Sequence, residues 1–263
     1  GKIRLMSRGG SDITGALVAA ACKADLYENW TDVSGILMAD PRIVENPSPI
    51  SKITYSELRE LAYMGASVLH EDSVAPVKDA GIPLNIRNTN EPDHPGTMIV
   101  ERIDEQSLEH DRFITGIAGK KNFVILTVTK RMQGTNETLR KVLEILDRHK
   151  VHAEHITIGI DQFALVLPLA TLGDGLYDVI SEIKGQCKPD SVEVQDNIAL
   201  VAAVGRKMIF RPGISGKLFN ALGNEGINIR TIAQGSDELA IIVGVDNSQF
   251  ENTIRILYQG FAG

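Results

Sequence analysis

Three short polar runs near the start of the chain have the residue types needed to bind an anion and an amino acid: Arg8-Gly9-Gly10-Ser11-Asp12, Thr31-Asp32 and Asp40-Pro41-Arg42. In the first, two glycines let the backbone approach a ligand closely, and the opening amides of a following helix offer donors to an anion. The Arg8 guanidinium suits a carboxylate or phosphate, while Asp12 suits an ammonium. Thr31-Asp32 directly follows an expected strand, the position where open α/β sheets hold ligands. Arg42, in a tight turn, has the reach and the fork for polyphosphate. Each run alone also reads as an ordinary capped or solvated turn; three of them at strand ends in so short a stretch favour a site.

A second constellation lies further along. The loop Met132 to Asn136 leads into a helix and faces a strand containing Glu154. A free amino acid needs donors for its carboxylate, supplied by helix-start amides, and a carboxylate for its ammonium, the part that fits Glu154. The competing reading makes Glu154 the wet face of an alternating strand. His70 stands alone, and His149, His152 and His155 straddle a helix end and a strand, so no metal site is expected. Cys22 and Cys187 are far apart, fit no metal-ligand spacing and read as reduced thiols.

The elements that must position these groups follow from the apolar pattern. Strands are expected at residues 2–6, 26–30 and 83–88, and helices at 11–24 and 72–80, the latter stopped by Gly81. Thr54-Tyr55-Ser56-Glu57 has capping-box spacing ahead of Leu58, Leu61 and Ala62, so another helix starts there. Residues 88–112 are polar, with Pro92, Pro95 and Gly96, and read partly as a linker in which Thr97–Glu101 pairs as an edge strand.

An internal repeat then begins. Met132 meets Met208 at a displacement of 76 residues that holds without a gap: Lys141 meets Lys217, Leu146 meets Leu222, Gly159 meets Gly235 and Ala164 meets Ala240. The first copy reads as a strand at 123–128, a helix at 136–149 with Leu139, Val142, Leu143 and Leu146 on one face, strands at 151–158 and 163–167, and a helix at 175–184. The second repeats that order with a strand at 198–204, a helix at 213–224, strands at 227–232 and 239–245, and a helix at 249–258. This is the βαββαβ order of a ferredoxin-like unit.

Composition narrows the partners. With 263 residues, a net charge of −7 and 5% aromatic residues, the chain has neither the basic surface nor the stacking platforms of a nucleic-acid binder, and the same charge argues against an anionic membrane. It contains no apolar run long enough for a membrane span and no signal-peptide pattern, so the cytoplasm is the default compartment. Because the chain opens without Met, on what reads as a strand already inside a fold, it is expected to be the later part of a longer protein.

Taken together, Arg8-Gly-Gly-Ser-Asp12, Trp30-Thr-Asp-Val33, Ala39-Asp-Pro-Arg42, Leu61-Ala-Tyr-Met-Gly65, Val68-Leu-His70 and Gly81-Ile-Pro83 resemble the aspartokinases in order and spacing, and the repeat resembles their tandem ACT domains. The resemblance implies an α/β fold: the C-terminal part of an amino-acid-kinase α/β sandwich at 1–100, a linker at 101–113, an effector-binding ACT domain at 114–194 and a regulatory, dimerising one at 195–263. It implies ATP-dependent phosphorylation of the aspartate side-chain carboxylate with Mg2+. Arg8, Ser11 and Asp12 would face aspartate and the transferred phosphoryl, with Arg8 and Asp12 catalytic. Thr31, Asp32, Arg42 and Val68 would hold ATP. The lysine-sensitive branch would place its effector at Met132, Thr135, Leu139 and Glu154, in a homodimer built through the ACT domains. Several positions depart from this pattern. Ser67 stands where many members have Lys, and Gly134, Glu137 and Thr138 differ from the usual effector loop, which keeps threonine open as the effector. The alternative reading is a non-catalytic amino-acid-sensing and dimerising module, and this chain alone is expected to turn over little.

Overall fold

The structure is a computed structural model that describes residues 10–66, 71–103, 113–131, 134–206, 208 and 212–262. The expected strand at 2–6, together with Arg8, Ser67, Val68, His70, Met132 and residues 104–112 of the expected linker, lies outside the described residues. The chain divides into two units: Gly1–Lys120 with Val201–Val243 and Glu251–Gly263, and Lys121–Leu200 with Gly244–Phe250.

The first unit opens with helix α1 (Gly10–Cys22) and strand β1 (Tyr27–Thr31), followed by a two-stranded antiparallel ribbon of β2 (Ile36–Leu37) and β3 (Pro49–Ile50). Strand β4 (Lys52–Thr54), helices α2 (Tyr55–Tyr63) and α3 (Glu71–Asp79), and strands β5 (Leu84–Asn88) and β6 (Thr97–Val100) complete this part. Its sheet runs β1-β5-β6-β4, with β1 parallel to β5 from Tyr27 opposite Leu84 to Thr31 opposite Asn88. The stretch expected as an edge strand is therefore interior, antiparallel to β5 and parallel to β4. Thr97 and Ile99 are both fully buried. The Thr97 hydroxyl donates to the Ile50 carbonyl (2.6 Å) and accepts from the Ile36 amide (2.8 Å), so a polar residue expected at a sheet edge sits satisfied in the core.

Helix α2 forms where the spacing predicts. The Thr54 side chain accepts from the Glu57 amide and the Glu57 side chain accepts from the Thr54 amide, closing the capping box. Leu58 and Leu61 bury the apolar face. Glu57 does more than cap: its carboxylate is fully buried and also accepts from the Thr115 hydroxyl and from Arg206 Nη1 (3.0 Å). A buried carboxylate is tolerated only when its lone pairs are met in this way.

Strand β7 (Gly116–Thr129) and strand β10 (Ser191–Val204) are each 14 residues long and belong partly to both units. They are twice the length that the apolar runs suggest. The extra length precedes each apolar run, through the polar stretches Lys120–Asn122 and Glu193–Asn197, where no alternation of apolar residues marks a strand although the strand continues. Asn122 and Asn197 have φ of 69° and 57°, a left-handed conformation that asparagine tolerates. In the first unit the strand order is β11-β12-β10-β7, with β11 (Thr231–Gln234) and β12 (Ala240–Asp246) beside helices α7 (Ile214–Asn224) and α8 (Phe250–Ala262).

In the second unit the order is β10-β7-β9-β8, where β8 (His155–Ile158) and β9 (Gln162–Pro168) are antiparallel and β9 runs antiparallel to β7 from Phe123 opposite Pro168 to Thr129 opposite Gln162. Helix α4 (Thr135–Arg148), the short α5 (Leu169–Leu172) and α6 (Leu176–Cys187) surround Phe163, Leu126, Leu165 and Ile183. The buried face of α4 is Thr138, Val142, Ile145 and Leu146. Leu143, expected on that face, is 37% exposed: a 3.6-residue period centred on Val142 and Ile145 leaves it at the rim. Strand β11 falls at the repeat displacement from β8, so the repeat seen in the sequence is a structural one. No helix among the described residues is long and apolar enough to cross a membrane.

Candidate functional site

Helix α1 and strand β1 build the core of the first-unit site. The two approach closely because Gly15 has no Cβ; one placed there would stand 2.5 Å from the Tyr27 hydroxyl oxygen. That hydroxyl donates to the Asp12 carbonyl (3.2 Å), and the buried Asn29 Nδ2 donates to Asp12 Oδ1 (3.2 Å). The carboxylate at the start of α1 is thereby tied to β1, two residues before Thr31. Nothing in the local sequence marks Asn29 as a site residue. Its signal is positional, a polar residue on the inward side of a strand whose neighbours alternate outward. Ser11 is exposed beside Asp12.

The Thr31 hydroxyl donates to Asp32 Oδ1 (3.2 Å), and Asp32 is exposed at the β1 end. Arg42 lies in the loop between β2 and β3, its side chain 87% exposed. It is not idle: Nε meets Asp40 Oδ1 and Oδ2 at 3.0 and 3.1 Å and Nη2 meets Oδ2 at 2.6 Å, while the Arg42 amide caps Oδ1 at 2.9 Å. These bonds hold the Asp40 carboxyl below the ordinary carboxylate range and push the guanidinium up. The fork presents a fixed guanidinium whose remaining N–H groups face solvent. Of the sequence-derived residues, Asp12 is tied through Asn29 to β1, the strand whose end carries Thr31 and Asp32, Arg42 sits on its own loop, and Arg8 and Val68 are outside the described residues.

In the second unit, Thr135 opens α4 and its hydroxyl donates to the Ile160 carbonyl at 3.0 Å, fastening the helix start to the loop after β8. Gly134 before it has φ of 145°. Leu139 packs half-buried against the unit core. Glu154 immediately precedes β8 rather than lying within it, and its amide donates to the Val166 carbonyl at 2.8 Å. Beside it, burial lowers the His155 pKa, against the pull of Glu154. Met132 is outside the described residues. Cys22 is exposed and Cys187 buried, both free.

No group of three or more His, Cys, Asp or Glu that could hold a metal exists among the described residues. The described residues therefore offer no protein-built cage. A magnesium ion that arrives on nucleotide phosphates and keeps several of its waters requires none.

Comparison with known proteins adds identity to this geometry. Residues 1–88 match the amino acid kinase family and residues 201–261 match the ACT domain. Aspartokinase 3 of Bacillus subtilis is 36% identical over 99% of the chain and 57% of its own length. The crystal structure of aspartate kinase from Clostridium acetobutylicum superposes with a TM-score of 0.92 at 51% identity, covering 99% of this chain and 60% of that one. Escherichia coli aspartokinase III, solved with aspartate and ADP, gives a TM-score of 0.80 at 29% identity over 97% of this chain and 56% of its own; its lysine and aspartate complex gives 0.77. The chain thus spans less than two thirds of the length of these relatives.

Proposed function

We propose that this chain, a relative of the aspartokinases over nearly its whole length and built of an amino acid kinase segment followed by ACT-type units, works in an aspartate kinase whose activity is set by an amino acid, lysine, bound to its second unit. The observation that carries the reading is the Asn29 bond to Asp12, which ties a carboxylate at the α1 start to β1, the strand that ends at Thr31. An amino-acid substrate and a nucleotide need those two features side by side.

In this reading Asp12 receives the ammonium of aspartate, and Ser11 and the first amides of α1 face its reacting carboxylate. Thr31 and Asp32 engage the nucleotide, and Arg42, already oriented by Asp40, adds charge to the phosphates. Arg8 and Val68 complete the set as the family resemblance assigns them. Transfer of the γ-phosphoryl to a carboxylate oxygen passes through a loose transition state, so the protein contributes position and charge neutralisation more than covalent chemistry. Magnesium, carried by the nucleotide, would supply part of that neutralisation.

Lysine as effector is supported by the lysine complex of the E. coli relative. It would use Glu154 for an ammonium and the amides at the α4 start for its carboxylate, with Met132, Thr135 and Leu139 alongside. A homodimer is supported by edge strand β8 and the loop after it, where Ile156, Ile158 and Ile160 are 42%, 56% and 93% exposed. The expected compartment is the cytoplasm, where ATP is abundant.

Because the chain spans only part of its relatives' length, binding is the informative readout. Calorimetric titration with lysine and with threonine is expected to give saturable lysine binding and weak or absent threonine binding, lost in Glu154→Ala. Threonine preference would overturn the effector assignment. Lysine binding without any binding of ADP or aspartate would favour a sensing and dimerising module over a catalytic one.

A further inference from the structure

The turn between β1 and β2 is braced from a second element. Asn88, the last residue of β5, is 7% exposed, and its Nδ2 donates to the Ser34 hydroxyl at 2.7 Å. Its Oδ1 accepts from the Asn90 amide at 2.9 Å. The Ser34 hydroxyl in turn donates to Glu91 Oε2 at 2.6 Å. At the start of the same turn, the Thr31 carbonyl accepts from both the Thr89 amide (2.8 Å) and the Thr89 hydroxyl (3.0 Å). At its end, the Ile36 amide is held by the Thr97 hydroxyl.

Residues 88–91 therefore grip the turn at its first residue and in its middle, leaving Asp32 and Val33 exposed between the grips. The register explains why these elements can do so: Thr31 pairs with Asn88, and both strands run parallel, so the two chain exits leave the sheet together. A nearly buried amide with both its donor and its acceptor committed is a built feature, since an unmet amide in that place costs stability.

We propose that Asn88 is a positioning residue for the nucleotide, acting through Ser34 to fix the Thr31-Asp32 turn. The inference rests on the reading of Thr31 and Asp32 as nucleotide contacts. Asn88 touches no ligand itself: losing its donated bond frees the middle of the turn, and the ligand groups on Thr31 and Asp32 lose their fixed separation. Small misplacements of binding groups are expensive in affinity, which is why a braced turn matters.

The test uses the full chain and ADP as the probe, read by calorimetry and by the fluorescence of Trp30, the single tryptophan, which stands next to Thr31. Asn88→Ala and Ser34→Ala are each expected to weaken ADP binding roughly tenfold, the scale of one committed hydrogen bond. Because both remove the same bond, the double variant is expected to bind no more weakly than the worse single one. Ser34→Thr, which keeps the hydroxyl, is expected to bind within about twofold of the parent. A purely structural role would shift urea unfolding while leaving ADP affinity unchanged in the folded variants, and that result overturns the proposal. Additive losses in the double variant also overturn it, since the two residues would then act separately. If the parent chain binds no ADP, the nucleotide reading falls and the positioning role falls with it, a result distinct from normal ADP binding by both variants.

Discussion

Arg206→Met is the sharpest probe of what holds the first unit together. Glu57 is fully buried, and its carboxylate accepts from the Thr54 amide (2.9 Å), the Thr54 hydroxyl (2.7 Å), the Thr115 hydroxyl, the Arg206 amide (3.3 Å) and Arg206 Nη1 (3.0 Å). Removing one partner of a buried pair costs about 3–5 kcal/mol when the survivor is left uncompensated. Here the guanidinium is 23% exposed and the amide and hydroxyl donors remain, so the cost is reduced to roughly 2–3 kcal/mol. That is about 30- to 150-fold in the folding equilibrium. The pH dependence gives a second reading. Burial pushes the Glu57 pKa up, but the Thr115 and Thr54 bonds and the Arg206 charge outweigh it and hold the carboxyl below its ordinary value. A depressed native pKa contributes stability that is present above the unfolded value of about 4.3 and lost as pH falls through the native one. Without Arg206 the native pKa rises, so the loss begins at higher pH. Urea unfolding followed through Trp30 fluorescence at neutral pH, with acid unfolding alongside, measures both effects. Unchanged urea and acid midpoints in Arg206→Met would refute the reasoning, because a buried carboxylate cannot lose its counter-charge at no cost.

Three further outcomes are expected. Gly96→Ala places a Cβ 1.9 Å from the Ile86 carbonyl at a φ of 72°, a clash with backbone, and is expected to cost about 3 kcal/mol or more in urea unfolding. Tyr55 is pushed up to about 12 by burial and by Glu101, and donates its hydroxyl to the Ile82 carbonyl at 2.7 Å. In an ultraviolet titration its ionisation should come late, near pH 12, and stability should fall as pH rises above the unfolded value of about 10; loss of the late step in Tyr55→Phe identifies it. His155, kept neutral by burial, should titrate below the ordinary histidine value of about 6.5 when followed by NMR, and the unfolded chain then binds the extra proton, so stability drops as pH falls below that value. Titration at or above 6.5 would contradict its burial.

The apolar periodicity made most helices and strands legible before any coordinates. The capping box at Thr54 and Glu57 placed α2 to the residue because cap chemistry is local and needs only four neighbouring positions. The repeat likewise foretold a strand at β8 and its counterpart at β11, although the expected strands at 151–158 and 227–232 begin four residues before the observed ones. Periodicity failed where a strand turns polar: β7 and β10 run far beyond their apolar cores, and β6, expected at an edge, is interior, with the Thr97 hydroxyl serving two backbone groups in the core. The candidate site was legible in part. Asp12, Thr31, Asp32 and Arg42 stand out as charged or polar groups at strand and helix ends, where ligands are usually met. Asn29, Ser34 and Asn88 do not, because neutral side chains carry no signal until their partners are known.

By itself the sequence determined the longer helices, the 76-residue repeat and the residue types available for chemistry, all of which depend on neighbours a few positions apart or on a fixed displacement; the short elements β2, β3, β4 and α5 carry no such pattern. Only the tertiary structure decided which of those residues meet. The parallel pairing of β1 with β5 brings Thr31 and Asn88, 88 − 31 = 57 positions apart in the chain, side by side. The burial of Glu57 beside Arg206 joins residues 149 apart. Long-range pairings of this kind are chosen by the burial of whole faces, in which every position contributes a little, and no local pattern records the outcome.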